Sequence, residues 1–93
     1  MNNVLNKLIE LGYVSFTESM KMLSQVDIDI YELMLAEKVQ RALFDECGKR
    51  EIEIRIRDNE LEIYDWLLKD SLIHEGDTSR ESFLKAFCKV VGI

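Results

Sequence analysis

The residues able to do chemistry are few and scattered. The chain of 93 residues holds one histidine, His74, and two cysteines, Cys47 and Cys88. A structural zinc site takes about four Cys, His or carboxylate ligands at close spacing, and two distant cysteines with one histidine do not supply them. The phosphate-cradling patterns G-x-G-x-x-G and G-x-x-x-x-G-K-S/T are missing, as is the nucleophile pattern G-x-S-x-G. Asp27-x-Asp29 resembles the opening of a calcium loop, but the glycine and distal glutamate that complete one do not follow. His74 is expected as a polar residue at a helix end, where an imidazole suits the C-terminal turn. The glycines, Gly12, Gly48, Gly76 and Gly92, fit helix ends or the loops after them, so none is free to approach a phosphate. No catalytic, metal-binding or cofactor-binding residue is expected, and the chain does not read as an enzyme.

What remains is charge. Lys and Arg number 12 against 18 Asp and Glu, for a formal net charge of -6. The excess is local: residues 27–47 carry six acids against two bases. A negative field repels phosphate and attracts basic surfaces. Asp27, Asp29, Glu32 and Glu37 are therefore the candidate partner-binding residues, facing a protein that presents Lys and Arg. The competing reading is a solvated helix face whose acids complement the positive end of the helix dipole. Asp45 and Glu46 are expected, more loosely, to face solvent too.

The elements that carry these residues are marked by period. Val4, Leu5, Leu8, Ile9 and Leu11 recur at helical spacing before Gly12. Ser15-x-x-Glu18 is a capping box for a second helix, about 16–24, with Met20 and Leu23 (Phe16 and Met22 nearby) on its inner side. Asp27 and Asp29 are both N-cap candidates for a long third helix, and Asp29-x-x-Glu32 makes the better box. Tyr31, Leu35, Val39, Ala42, Leu43 and Cys47 form its apolar stripe, and Gly48 is expected to end it.

The period then switches to two. Glu51-Ile52-Glu53-Ile54-Arg55-Ile56-Arg57 alternates without a fault, Asp58-Asn59 suits a two-residue turn, and Glu60-Leu61-Glu62-Ile63-Tyr64 alternates again. Folding about 58–59 pairs Ile56 with Leu61, Ile54 with Ile63, Arg57 with Glu60 and Arg55 with Glu62. The alternative starts a helix at Asn59, with Glu62 closing a capping box, and leaves strand 51–57 without a partner. Trp66, Leu67, Leu68, Leu72 and Ile73 predict a fourth helix, about 65–74. Thr78-x-x-Glu81 predicts the cap of a last helix, about 79–91, with Phe83, Leu84, Phe87, Cys88 and Val91 as its stripe and Gly92 as its stop.

The expected fold is thus α+β: one domain over residues 1–93, four to five short helices packed with one two-stranded antiparallel hairpin. The order helix, short extended piece, helix, turn, helix, hairpin is also that of a winged helix. The stretch Gly12-Tyr13-Val14-Ser15-Phe16-Thr17-Glu18-Ser19-Met20-Lys21-Met22-Leu23 resembles the first helix of helix-turn-helix modules of the excisionase type. That resemblance implies that the following helix enters the major groove. It begins Asp27-Ile28-Asp29-Ile30-Tyr31-Glu32, and acids there oppose phosphate contacts.

A chain of this size buries only about 60–65% of the surface its unfolded form exposes, which leaves room for a partner or a homodimer interface. No apolar run approaches the roughly 20 residues of a spanning helix, and Met1-Asn2-Asn3-Val4 shows no basic leader. Both cysteines fall in apolar helical patterns and are expected as buried, reduced thiols of a cytoplasmic protein. The function expected is that of a small acidic intracellular protein-binding regulatory module, an adaptor or inhibitor of the kind phages and mobile elements carry. The second reading is a degenerate winged-helix nucleic-acid-binding regulator.

Overall fold

The computed structural model describes residues 3–93; Met1 and Asn2, part of the N-terminal stretch considered above, lie outside the described residues. Three helices come first: α1 (Asn3–Glu10), α2 (Phe16–Leu23) and α3 (Ile28–Lys49). A three-stranded antiparallel meander follows, β1 (Ile52–Arg57), β2 (Glu60–Asp65) and β3 (Asp70–Glu75), in the order β1-β2-β3. The helix α4 (Arg80–Val91) closes the chain. The α+β class is as expected; the strand count is not.

Local chemistry accounts for most boundaries. Gly12, at φ +87°, lets the chain turn out of α1 in a conformation that a side chain disfavours. Ser15 and Glu18 form the reciprocal capping box at the start of α2. At α3 the cap is Asp27, whose carboxylate accepts from the backbone N–H groups of Asp29 and Ile30, so the expected Asp29-x-x-Glu32 box is not the one used. Gly48 does not end α3; it lies inside the helix, which runs on to Lys49. At α4 the cap is Ser79, whose hydroxyl accepts from the Ser82 N–H at 3.2 Å, one residue later than the Thr78 box. Gly92 stops α4 in the left-handed conformation.

The β1–β2 register is the expected one at all four pairs. Asp58 and Asn59 both take positive φ, as a type I′ turn demands. Arg55 Nη1 lies 3.6 Å from Glu62 Oε1 across the ladder. The helix alternative from Asn59 is thereby overturned.

The expected fourth helix at 65–74 is replaced by a tight turn and β3. Asp65 Oδ1 accepts from the N–H groups of Leu67 and Leu68, which folds the chain back immediately after β2. Lys69 then takes φ +56°, which stops any helical continuation. Residues 70–75 pair with β2, Ile63 opposite Ile73, with Leu72 absorbed in a bulge. A short apolar run fits a helix or a strand equally by period; the free edge of β2 decided it. His74 accordingly sits on β3, exposed, with Nε2 3.9 Å from Glu60 Oε1, and not at a helix end.

The core lies between the sheet and the helices. Leu61 and Ile63 of the central strand are fully buried, as are Leu5 and Leu8 of α1, Ala42 and Leu43 of α3, and Ala86 and Phe87 of α4. Isoleucines 52 and 54 on β1 and Leu72 and Ile73 on β3 are only half-buried against this core. Among the described residues no helix is long and apolar enough to cross a membrane.

Candidate functional site

The four acidic candidates are all exposed, but they do not form one face. At about 100° per residue, Asp29 and Glu32 lie about 60° apart around α3, while Glu37 is turned about 140° from Glu32. Asp27 is occupied as the N-cap. Glu32 borders a groove of about 330 Å³ between the first half of α3 and the start of α4, floored by Leu35, Val39 and Leu84 and edged by Arg80 and Glu81. Glu37 sits on the outward face of α3 with Gln40, Arg41 and Phe44.

The same end of the molecule exposes a large apolar surface that the charge pattern did not reveal. On α2, Phe16 (73%), Met20 and Leu23 are exposed, and the buried pair is Ser19 and Met22. This reverses the expected inner face for Phe16, Met20 and Leu23, while Met22 is buried as expected. The rotation follows from Met22, which α2 buries on the side where Met34 and Lys38 of α3 lie, and Glu18 pairs with Lys38 at 2.8 Å on that same side. The Lys38 ammonium and the Ser15 N–H hold the Glu18 carboxyl at about 2, well below its ordinary value. Val26, in the turn between α2 and α3, is 98% exposed, and Ile28 (67%), Ile30 and Leu33 follow on α3.

Six of the eight residues from Ile28 to Leu35 are apolar, and at about 100° per residue they cover all of the helix surface except an arc of about 140° that Asp29 and Glu32 occupy. A helix with so wide an apolar face is normally buried on most of its sides. That pattern is the signal in the sequence that could have located the surface; a stripe drawn only through Tyr31 and Leu35 hides it.

The other end of α3 carries the opposite arrangement. Glu46 is 4% exposed, contrary to the expected solvent-facing position. The Tyr13 hydroxyl donates to Glu46 Oε2 at 2.5 Å and also contacts the Asp45 carboxylate. Arg50 Nη2 donates to Glu46 Oε1 at 3.0 Å, and its Nη1 donates to the Val90 carbonyl at 3.0 Å. Lys49 Nζ lies 3.2 Å from Asp45 Oδ2. Tyr13 is pushed above its ordinary pKa, by burial first and then by hydrogen bonds to the two acids. Asp45 and Glu46 are both pulled down, chiefly by the Tyr13 hydroxyl. The acids stay ionised and the tyrosine stays protonated near neutrality, which is the reverse of a group poised to exchange protons. The cluster ties the α1–α2 connection, the end of α3 and α4 together.

The thiols are free. Cys47 is buried, and desolvation raises its pKa to about 11. Cys88 is half-buried, less than expected, and burial raises it too. Among the described residues no group of three or more His, Cys, Asp or Glu side chains is placed to hold a metal ion. The chain matches no family model, no curated protein and no solved structure.

Proposed function

We propose that the chain is a protein-binding regulatory module, an adaptor or inhibitor, that docks its partner on the hairpin formed by α2 and the first half of α3. The observation that carries this reading is the exposure of Phe16, Met20, Leu23, Val26, Ile28 and Leu33 at one end of the molecule. An apolar patch of this kind on a small chain marks an interaction surface. Acids border it: Asp27, Asp29 and Glu32 lie among the apolar side chains, and Glu37 lies a turn further along. The partner that fits presents apolar anchors flanked by Lys and Arg, such as one face of a basic amphipathic helix. The apolar anchors supply the affinity and the acids supply selection and encounter rate. A duplex-DNA partner finds less support, since the exposed start of α3 offers acids where phosphates would lie.

The test is affinity capture from the host's lysate with three baits: the wild type, Asp29→Lys/Glu32→Lys and Leu33→Asp. One protein should be retained by the wild type, lost from both variants and released progressively as salt rises, since exposed charges are screened over about 8–10 Å near physiological ionic strength. Retention unchanged by the double charge reversal would reduce the acids to a solvated surface. Submicromolar binding of the wild type to duplex DNA would favour the winged-helix alternative.

A further inference from the structure

Strand β1 lies at one edge of the sheet, and its sequence is complementary to itself. Written from residue 51 it is Glu-Ile-Glu-Ile-Arg-Ile-Arg. Laid antiparallel on a second copy about Ile54, it sets Ile54 opposite Ile54 and Ile52 opposite Ile56. The same register sets Glu53 opposite Arg55. Every apolar residue meets an apolar one, and each of these acids meets a base. A shift of one residue would set isoleucines against charged side chains, so the register is strongly specified.

The backbone phase agrees with that register. The Trp66 N–H donates to the Glu51 carbonyl, and Arg57 opposite Glu60 closes the two-residue turn. Hydrogen-bonded pairs alternate along an antiparallel ladder. Residues 53, 55 and 57 therefore direct their N–H and C=O groups to β2, while Ile52, Ile54 and Ile56 direct theirs to the open edge. No described residue bonds these groups. Pairing about Ile54 makes Ile54–Ile54 a reciprocal hydrogen-bonded pair and uses the outward groups of Ile52 and Ile56 as well. Glu53 and Arg55 then fall at the non-hydrogen-bonded positions, where side chains approach more closely.

The side chains agree too. The isoleucines of β1 lie on the helix-covered face, yet Ile52 and Ile54 are only half-buried and Ile56 is 50% exposed. The facing isoleucines of a second β1 would cover that row. On the other face, Arg55 stacks at 4.2 Å over the Tyr64 ring and is held by Glu53 at 2.8 Å. That fixes the guanidinium beside the edge while leaving N–H donors for another carboxylate, since it carries five.

We propose that this edge is a self-association surface: two copies pair β1 with β1 about Ile54 in an isologous contact, joining two three-stranded sheets into one of six strands. The surface is separate from the α2–α3 hairpin, so the proposal stands or falls independently of the partner reading.

Charge reversal tests it by sedimentation velocity, with circular dichroism to confirm the fold. The wild type should be dimeric at submillimolar concentration. Glu53→Arg sets two guanidinium groups against each other, and Arg55→Glu sets two carboxylates against each other, each twice per dimer. Each variant alone should weaken association about tenfold or more. An equimolar mixture of the two variants offers a heterodimer in which one strand is basic at both positions and the other acidic at both. Every facing pair is then an acid with a base, and the mixture should dimerise again. A monomeric wild type, singles that associate unchanged, or a mixture that stays monomeric would overturn the proposal. Hydrogen exchange on the wild type gives a measure that needs no variant. The amides of Ile52, Ile54 and Ile56 should gain protection as concentration rises, and equal exchange in dilute and concentrated samples would overturn it as well.

Discussion

The two ends of α3 invert the usual relation between chemistry and burial. At the C-terminal end a glutamate is buried, with its carboxylate bonded to Tyr13 and Arg50. At the N-terminal end isoleucine and leucine face solvent. Both are one helix, so propensity does not distinguish them. The difference is what packs alongside. The C-terminal half is enclosed, with Ala42, Leu43, Glu46 and Cys47 all buried and with Tyr13 and the Val90 carbonyl closing over the Glu46–Arg50 pair, and there a charged group is tolerable because each oxygen is satisfied. The N-terminal half has α2 on one side and the start of α4 bordering a groove on another. The closed end holds its chemistry inside the fold, and the open end leaves its apolar side chains in solvent.

The two ends should answer the same substitution very differently. Leu43→Ala, at a fully buried position, should cost about 2–5 kcal/mol by loss of burial plus a cavity. Leu33→Ala, at a position 57% exposed, should cost less than about 0.5 kcal/mol. Urea unfolding of the two variants checks this, and equal losses would show that both ends are packed alike.

The next effect belongs to Glu46. Glu46→Gln removes the charge that Arg50 and Tyr13 bond and should lower stability by about 1–3 kcal/mol. Its pH dependence has a definite sign. The folded pKa lies below the unfolded value of about 4.5, so the stabilisation is fully present above that value and is lost as pH falls through the folded pKa. Thermal unfolding between pH 7 and pH 3, as a rough span, should show a shallower acid limb for the variant than for the wild type. Identical limbs would mean that Glu46 is not held ionised by its partners.

A smaller loss is expected at the open end, from its cap. Asp27→Ala should cost about 1 kcal/mol, because two N–H groups of the first turn lose their acceptor. Asp29→Ala, two residues on and not a cap, should cost less. If Asp29 proved the costlier of the two, the cap assignment would be wrong.

The cysteines give the smallest effect, one read in rate and not in stability. Both thiols lie toward the C-terminal ends of their helices, Cys47 in the core and Cys88 half-buried. Under native conditions both should react with a thiol reagent more slowly than in denaturant, and Cys47 more slowly than Cys88, because it is the more buried and its pKa is raised to about 11. Rapid native labelling of Cys47 would show that the closed end opens readily.

Residues 51–64 determined their own structure. An uninterrupted period of two, two turn residues that tolerate positive φ, and matched apolar and ionic pairs leave one register, because a slip by one residue sends every side chain to the wrong face. The helices α1, α3 and α4 were similarly legible from apolar spacing, and the acidic excess at the start of α3 was plain in the composition. What the tertiary structure decided was the partner of each apolar face. Leu72 and Ile73 pair beside β2 because that strand had a free edge and Asp65 turned the chain toward it. Phe16, Met20 and Leu23 face outward because Met22 is the side chain that α2 buries toward α3, with the Glu18–Lys38 pair on that same side. Glu46 is buried because Tyr13, 33 residues earlier, reaches it from the α1–α2 connection. Local sequence states how a segment prefers to fold; which of its faces is covered depends on residues far along the chain, and no local period encodes that.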